Sequence, residues 1–199
     1  KVNVKLLKDK RKGTVSLNSF DPLDIKQAVA DAWQAAQSAA PDEAEGIAEL
    51  QENLSFSSGE EKPDLDRMYQ QLTDLLADAK QDFPKISFDS IGVEHNYSEK
   101  VYANTNGVRL SDAQGVYQLS NMFMAKDGEK SSSFNYFGTV YSDPSERVIE
   151  TERVRRILDD TQQQIVTEQI DGSFVGDLVI MPGCLENMLW FVGDTYLQD

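Results

Sequence analysis

The sequence is poor in the residues that metal and thiol chemistry needs. Its 199 residues include one histidine, His95, and one cysteine, Cys184. A single cysteine excludes an internal disulfide framework and fits a reducing compartment. A single histidine excludes a histidine-based zinc site built from this chain alone, because such sites need several nitrogen or sulfur ligands. We predict that His95 lies in a strand without a catalytic partner and that Cys184 is a small buried thiol.

Long apolar runs are also missing, and positive charge is scarce. No stretch is long and apolar enough to span a membrane, and the first residues lack the apolar core of a secretory signal. The 34 acidic residues outnumber the 19 basic ones, which gives a net charge of −15. Because this charge repels a phosphate backbone, we expect no direct contact with nucleic acid. These features together predict a cytoplasmic protein with no membrane association.

The motifs of several enzyme classes are absent as well. No glycine-rich loop has the spacing that cradles phosphates or a dinucleotide. Asp159 and Asp160 are adjacent on a predicted helix, where their carboxylates diverge and cannot work as a pair on one substrate. From the residues alone we therefore assign no catalytic residue, no metal ligand and no cofactor to this chain.

What the sequence does contain is a well-marked strand and helix over residues 10–42. A turn over residues 9–13, with Gly13 at positive φ, leads into a strand over residues 14–20. Asp21 is placed to cap a helix whose first position is Pro22. Residues at three- and four-residue steps give that helix one narrow apolar stripe before Pro41 ends it: Ile25, Val29, Ala32, Trp33, Ala36 and Ala40.

One group of residues departs from the acidic character of the chain. Five basic side chains lie on or beside the predicted turn: Lys5, Lys8, Lys10, Arg11 and Lys12. They have no interleaved aromatic residues, so they make a poor platform for nucleic acid. We predict that they form a solvated hairpin tip.

The rest of the chain predicts an α+β fold, in which an antiparallel sheet packs against helices. Residues 42–63 are expected to form a short helix and then a mobile connection, and Asp64 caps a second helix that ends near residue 81. A third helix runs to about residue 164, and a buried strand over residues 174–181 precedes a helix after Pro182. Strands grouped together, rather than alternating with helices, favour this class. Two-residue alternation places the strands of the meander at residues 86–93, 100–104, 115–126 and 132–142.

Several of these segments together resemble one known family. Residues 13–16 (Gly-Thr-Val-Ser), the alanine-rich helix that begins Asp-Pro, and residues 40–42 (Ala-Pro-Asp) are similar to the amino-terminal half of the TldD and PmbA (TldE) proteins, once called modulators of DNA gyrase. Residues 101–107 (Val-Tyr-Ala-Asn-Thr-Asn-Gly) resemble the family's strand that ends in Asn-Ser-Asn-Gly. The resemblance implies that residues 1–171 form an amino-terminal α+β domain of the TldD/PmbA type. Residues 172–199 would then begin a second, carboxy-terminal domain that is truncated here.

The same resemblance addresses the metal site of the family. In TldD-type members the helix after the last strand resembles Leu-Leu-His-Glu-x-x-x-His, whose histidines bind a metal and whose glutamate can activate water. Aligning residues 178–180 with the preceding strand places Trp190, Phe191 and Thr195 at the His, Glu and His positions. An indole, a phenyl ring and an alcohol are not useful ligands for zinc. The resemblance therefore implies a PmbA/TldE-like member that lacks the metal motif, with the metal expected on a TldD-like partner.

Three functions remain open at this point. The first is a non-catalytic subunit of a TldD/TldE-type peptide-processing protease, which pairs with a TldD-like paralogue and binds peptide along its Ser- and Asn-rich strands. The second is a stand-alone binding or assembly module that associates with itself. The third is a metallopeptidase whose ligands lie outside these residues. Whether the chain is an enzyme is thus undecided by its sequence.

Overall fold

The computed structural model describes residues 1–145, 147–168, 171–173, 175–180 and 182–196. The backbone contacts divide the chain into two units, Lys1–Ile165 and Val166–Asp199. The sequence-based boundary at residues 171 and 172 stays an interpretation of where one domain of the family ends.

The first unit opens with an antiparallel hairpin of β1 (Val2–Lys8) and β2 (Arg11–Leu17). The turn between them has positive φ at Asp9 and Lys10, 51° and 62°. The prediction of a longer turn with Gly13 in the left-handed region is therefore wrong, because Gly13 lies inside β2 and pairs with Leu6.

Helix α1 (Pro22–Ser38) follows, and its start is as predicted: the carboxylate of Asp21 accepts a 2.8 Å hydrogen bond from the backbone N–H of Leu23. The buried face of α1 is narrower than the predicted apolar stripe and is centred on different residues. Alanines Ala28, Ala32 and Ala36 are buried, whereas Val29 and Trp33 are 44% and 37% exposed.

Close contact between backbones explains why α1 packs through alanines. A Cβ atom added to Gly13 would lie 1.8 Å from the carbonyl oxygen of Ala32 and 2.7 Å from the backbone nitrogen of Ala36. Gly13 is thus needed for space, so that α1 can rest on β2, and not for a positive φ.

The lysines of the basic cluster are exposed at the hairpin, as predicted, but the side chains of the cluster also make specific contacts. Lys12 and Lys5 donate to the carboxylate of Glu45, the latter at 2.7 Å. Lys10 donates to the carbonyl oxygens of Glu43 and Glu45, both at 3.3 Å.

The other two basic residues contact helix α1 and its end. The guanidinium of Arg11 donates to the carbonyl oxygen of Ala39, and Lys8 Nζ lies 4.6 Å from the ring centroid of Trp33. These contacts hold residues 39–45, which include a turn at residues 43–44, against the hairpin. The short helix predicted after residue 42 is not found there.

The main sheet is built on the long central strand β5 (Arg109–Asp127). Strand β4 (Ile86–Ala103) pairs antiparallel with one side of it. On the other side, β3 (Leu54–Ser58) pairs in parallel and β7 (Asn135–Tyr141) pairs antiparallel. A two-residue strand, β6 (Lys130–Ser131), pairs with the end of β5.

Two predictions about this sheet need correction. The strands predicted at residues 86–93 and 100–104 are one continuous strand, β4, with an irregular register between Phe88 and Ser90. The predicted mobile connection contains β3, whose pairing with β5 depends on residues far along the chain. Local composition could not reveal that partner.

Helices α2 (Leu65–Asp82) and α3 (Glu152–Gln163) pack with the sheet to form the core. Asp64 caps α2 as predicted, because its carboxylate accepts from the backbone N–H of Arg67 at 3.1 Å. A short 3₁₀ turn, Val148–Glu150, precedes α3, which therefore starts later than predicted. The core residues are Leu75, Phe83, Leu119, Phe123, Phe137, Val148, Ile149, Val154 and Leu158. The α+β class is confirmed.

The second unit contains helix α4 (Pro182–Tyr196), as predicted. The strand predicted before it is wrong over residues 175–180, which form no strand and expose most of their side chains. Residues 174 and 181 lie outside the described residues. Cys184 is an exposed thiol, because the helix bearing it does not bury that side chain, so the prediction of a buried thiol is wrong. None of the helices described in either unit is long and apolar enough to cross a membrane.

Candidate functional site

Strand β4 offers an open edge to the surroundings. Over its 18 residues it pairs with β5 on one side, and no strand among the described residues pairs with the other. Its last part, residues 96–103, is exposed on both faces. An unpaired edge presents a row of backbone N–H and C=O groups, and this is the chemistry that recruits another extended chain.

The side chains along this edge are mostly small or polar. Ser98 and Lys100 point to one face, while Tyr97, Glu99 and Val101 point to the other, because successive residues of a strand alternate. The hydroxyl of Tyr97 donates a 2.9 Å hydrogen bond to Glu99, and this bond raises the pKa of Tyr97 above its usual range.

A row of aromatic rings crosses the sheet at the base of this exposed part. His95, Tyr117 and Tyr141 are register partners on β4, β5 and β7. The ring centroids of His95 and Tyr117 are 4.8 Å apart, and those of Tyr117 and Tyr141 are 6.0 Å apart. The hydroxyl of Tyr141 donates to the side-chain oxygen of Gln71. Burial raises the pKa of this hydroxyl to about 12.

Tyr117 fastens a loop to the sheet. Its fully buried hydroxyl donates to Glu60 Oε2 at 2.6 Å and accepts from the backbone N–H of Asp64 at 3.0 Å. Burial, and then the bond to Glu60, raise the pKa of Tyr117. His95 Nε2 lies 2.9 Å from the carbonyl oxygen of Glu60. We call residues 59–64 the strap, because they run from the end of β3 across the sheet to the start of α2.

Two glycines allow the strap to lie directly on the sheet. Gly59 has a φ of 70°, and a Cβ on it would lie 1.9 Å from the carbonyl oxygen of Gly115. A Cβ on Gly115 would lie 1.9 Å from the carbonyl oxygen of Glu60. Sequence reasoning missed this contact, since nothing local links two glycines on separate elements.

The contacts of His95 hold its ring in place, and its hydrogen-bond partner is a backbone carbonyl oxygen rather than a catalytic side chain. Its ring contacts Tyr117 and its Nε2 faces a backbone carbonyl. Glu94 and Asn96 alternate with it on the strand, as expected. That His95 has no catalytic role stays a prediction.

A cleft of about 200 Å³ lies between α2 and the segment that carries the 3₁₀ turn. Its cations are engaged: Arg147 pairs with Asp78, and this bond raises the pKa of the guanidinium. Arg67, also on the wall, pairs with Asp64 at 3.3 Å. A neighbouring cleft of about 130 Å³ shares Gln71, Arg147 and Val148 with it. Ser145, Asp74 and Asp78 also line the first cleft, but Asp78 is taken up by its ion pair with Arg147, and we assign no reaction to either cleft.

The positions aligned with the metal motif lie on α4. Trp190 and Phe191 are 70% and 61% exposed, and Thr195 is exposed as well. Two aromatic rings and one hydroxyl do not make a donor set for zinc, so these residues do not fit the metal of the family. The alignment of these three positions depends on a strand before α4, and residues 175–180 form no strand. The correspondence of the three positions to the metal motif therefore stays a prediction. Among the described residues no group of three His, Cys, Asp or Glu side chains could hold a metal ion.

Comparison with known proteins supplies the family. The sequence profile described as the PmbA/TldA metallopeptidase central domain matches residues 18–161. The fold matches the crystal structure of TldE from Thermococcus kodakarensis with a TM-score of 0.58 and 17% identity, covering 81% of this chain and 36% of that one. A candidate modulator of a DNA gyrase from Thermotoga maritima gives 0.53 at 17% identity, with 82% and 36% covered. A candidate modulator of DNA gyrase from Bacteroides thetaiotaomicron gives 0.51 at 17% identity, with 77% and 38% covered.

The chain therefore belongs to the TldD/PmbA/TldE family, a family associated with metallopeptidases. At their low identity, the solved structures establish the fold alone. The chain spans just over a third of the length of those structures, 36% to 38%. A search of curated proteins found no match.

Proposed function

We propose that this chain is part of a non-catalytic, PmbA/TldE-like subunit of a TldD/TldE-type peptide-processing metalloprotease. In this proposal the open edge of β4 binds an extended peptide and presents it to a TldD-like partner that carries the metal. The observation that carries the proposal is the long edge of β4, paired on one side with β5 and exposed over residues 96–103.

Backbone pairing suits a subunit that handles peptides of many sequences. Main-chain hydrogen bonds to a strand edge supply affinity without reading side chains, and the flanking side chains adjust preference. The chain carries a net charge of −15, so we expect it to prefer neutral or basic peptides over acidic ones.

The metal chemistry is assigned to the partner because of the donor set on α4. Trp190, Phe191 and Thr195 cannot supply the nitrogen and carboxylate ligands of the motif at those positions. Support for a partner also comes from the exposed apolar side chains of α4, such as Leu189 and Val192, since exposed apolar helices often mark association surfaces.

The edge can be tested with two neighbouring proline variants of the full-length protein, Ser98→Pro and Glu99→Pro. Along an antiparallel strand, one of two successive residues directs its N–H toward β5 and the next directs it outward. Proline removes that donor in both cases. We expect one variant to fold like the wild type but bind a labelled extended peptide up to about tenfold more weakly. The other loses a bond within the sheet and is less stable.

Fluorescence anisotropy measures the binding, and circular dichroism checks that the variants are folded. Equal binding by the wild type and both folded variants would refute the role of the β4 edge. Co-purification from the native host tests the partner: recovery of a histidine-bearing paralogue supports the subunit, and clean self-association supports a stand-alone module. Stoichiometric zinc in the full-length chain purified alone would overturn the non-catalytic assignment.

A further inference from the structure

Strand β3 differs from the other strands that flank β5. All five of its side chains are exposed, and it pairs in parallel, with Leu54 opposite Leu110 and Ser58 opposite Gln114. A strand that buries no side chain contributes little to the core. Its place depends on backbone pairing and on the residues at its two ends.

Those two ends are held by a small number of polar contacts. Before the strand, Asn53 Oδ1 accepts from the backbone N–H of Arg109 at 2.7 Å. Within it, the hydroxyl of Ser111 donates to that of Ser55 at 2.9 Å. After it comes the strap, where the buried Tyr117 hydroxyl donates to the Glu60 carboxylate at 2.6 Å.

We propose that β3 is a displaceable strand that covers a second peptide-binding edge, on β5 opposite residues 54–58. The bond between Tyr117 and Glu60 is the latch that keeps it closed. This inference rests on the proposed function in one respect, that the sheet binds extended peptides. It adds a site and a means of controlling it.

The strand itself indicates which peptide fits this edge. Leu54 and Phe56 lie on the same face as Leu110, whereas Ser55 and Ser57 lie on the face of Ser111 and Ala113. The occupant is therefore an extended peptide that runs parallel to β5. Apolar residues alternate in it with small polar ones.

Displacement of β3 costs little free energy, because the hydrogen bonds that are lost and gained are of the same kind. An incoming peptide restores the backbone bonds that β3 gives up, and no buried side chain has to leave the core. The contacts that it does not restore are those of the strap, so they set how often β3 opens. A hydrogen bond to a charged group is stronger than a neutral one, and its loss shifts an opening equilibrium by about tenfold or more.

Amide hydrogen exchange tests the latch in the full-length protein. In Tyr117→Phe we expect exchange of residues 54–60 to quicken by about tenfold. The matched control is Tyr97→Phe, which loses a similar hydroxyl-to-glutamate bond of 2.9 Å, made to Glu99 within β4 and not to the strap, and should leave that exchange unchanged. Glu60→Ala, at an exposed residue, provides a second opening variant that keeps the buried ring. Unchanged exchange in both opening variants would overturn the latch.

A reversible cross-link tests the site. Ser57 and Ala113 are register partners, so Ser57→Cys with Ala113→Cys, in a Cys184→Ser background, can tie β3 to β5. The probe is a labelled peptide with the sequence of residues 53–58, Asn-Leu-Ser-Phe-Ser-Ser, which ends before the strap. We expect reduced protein to bind the probe, more tightly with Tyr117→Phe, and oxidised protein to lose the binding until reductant is added.

The outcomes separate this inference from the proposed function. Binding that is equal in oxidised and reduced protein but weakened by a β4 proline overturns the β3 site and leaves the β4 edge standing. Binding that depends on reduction and is unchanged by the β4 prolines supports the β3 site and leaves the β4 edge to its own test. No binding of the probe under either condition overturns the β3 site, whatever extended peptides of other sequence do at β4.

Discussion

The contact between Gly13 and α1 gives the sharpest prediction of stability. In Gly13→Ala the new Cβ would lie 1.8 Å from the carbonyl oxygen of Ala32, far inside an ordinary contact. The obstruction is helix backbone, which cannot rotate away as a side chain would. The helix must therefore retreat by more than about 1 Å, and a gap of that size forfeits a quarter to a half of the attraction between facing atoms.

The surface that opens is the one formed by Ala28, Ala32 and Ala36, which are buried against the hairpin. Overpacking of this kind costs about 3 kcal/mol, at the upper end of what inserted methyl groups cost. We expect the urea midpoint of the hairpin and α1 to fall accordingly. The matched control is Gly138→Ala, whose Cβ would meet the Leu119 carbonyl oxygen at an ordinary 3.5 Å and which should cost less than about 1 kcal/mol.

The assay can be made local to α1. The chain has two tryptophans, Trp33 and Trp190, so a Trp190→Phe background leaves Trp33 as the reporter of the helix and of its contact with Lys8. Urea unfolding followed by Trp33 fluorescence then compares the two alanine variants. A Gly13→Ala midpoint equal to that of Gly138→Ala would refute the proposed packing of α1 on β2.

Three further predictions concern the core and the titrating groups. Leu158→Ala, at a fully buried position, should lower the free energy of unfolding by about 3 kcal/mol. The control Leu76→Ala, at an exposed position of α2, should change it little. Equal losses of stability in the denaturation curves of the two variants would contradict the placement of Leu158 in the core. Because the folded pKa of Tyr141 is raised to about 12, its contribution to stability is complete below the ordinary tyrosine pKa of about 10 and is lost as pH rises through 12. After allowance for partial exposure this amounts to about 1–2 kcal/mol, and Tyr141→Phe should remove that part of the alkaline slope in unfolding curves; an identical slope would contradict it. The pKa of Glu45 is lowered, first by its bond from Lys12, so its contribution is present above the ordinary carboxyl pKa and is lost as pH falls through the lowered value. At neutral pH, Glu45→Gln should lower the amide protection of residues 39–45, measured against the intrinsic exchange rate at the same pH, to the level that the wild type reaches only in acid; equal protection in the two proteins at neutral pH would contradict it.

Features set by neighbouring residues could be predicted from the sequence. The caps at Asp21 and Asp64 depend on a carboxylate and the backbone N–H groups one turn away, and both are found where the pattern placed them. The α+β class likewise follows from the change of apolar period between residues 82 and 86. Both signals are local, so no knowledge of distant partners was required.

Features that depend on distant pairing could not be predicted. Strand β3 has the composition of a loop and becomes a strand because β5 offers it a parallel edge. Residues 175–180 have the opposite character, since their apolar run predicts a strand but no strand forms among them. An apolar pattern shows that a segment can be buried, not which backbone will pair with it.

The candidate site was visible only in outline. Serine and asparagine along the strands suggested peptide pairing, but the open edge exists because two predicted strands are one, β4, with a partner on one side alone. The latch between Tyr117 and Glu60 joins residues 57 positions apart. No local signal in the sequence joins them.

The central claim is that the outer edge of β4 binds an extended peptide. Residue-resolved amide exchange of the full-length protein, with and without a saturating labelled peptide, tests it most directly. We expect every second amide over residues 92–103 to slow on binding, because those N–H groups point outward while their neighbours already bond to β5. Saturated peptide binding with unchanged exchange along this strand would contradict the claim.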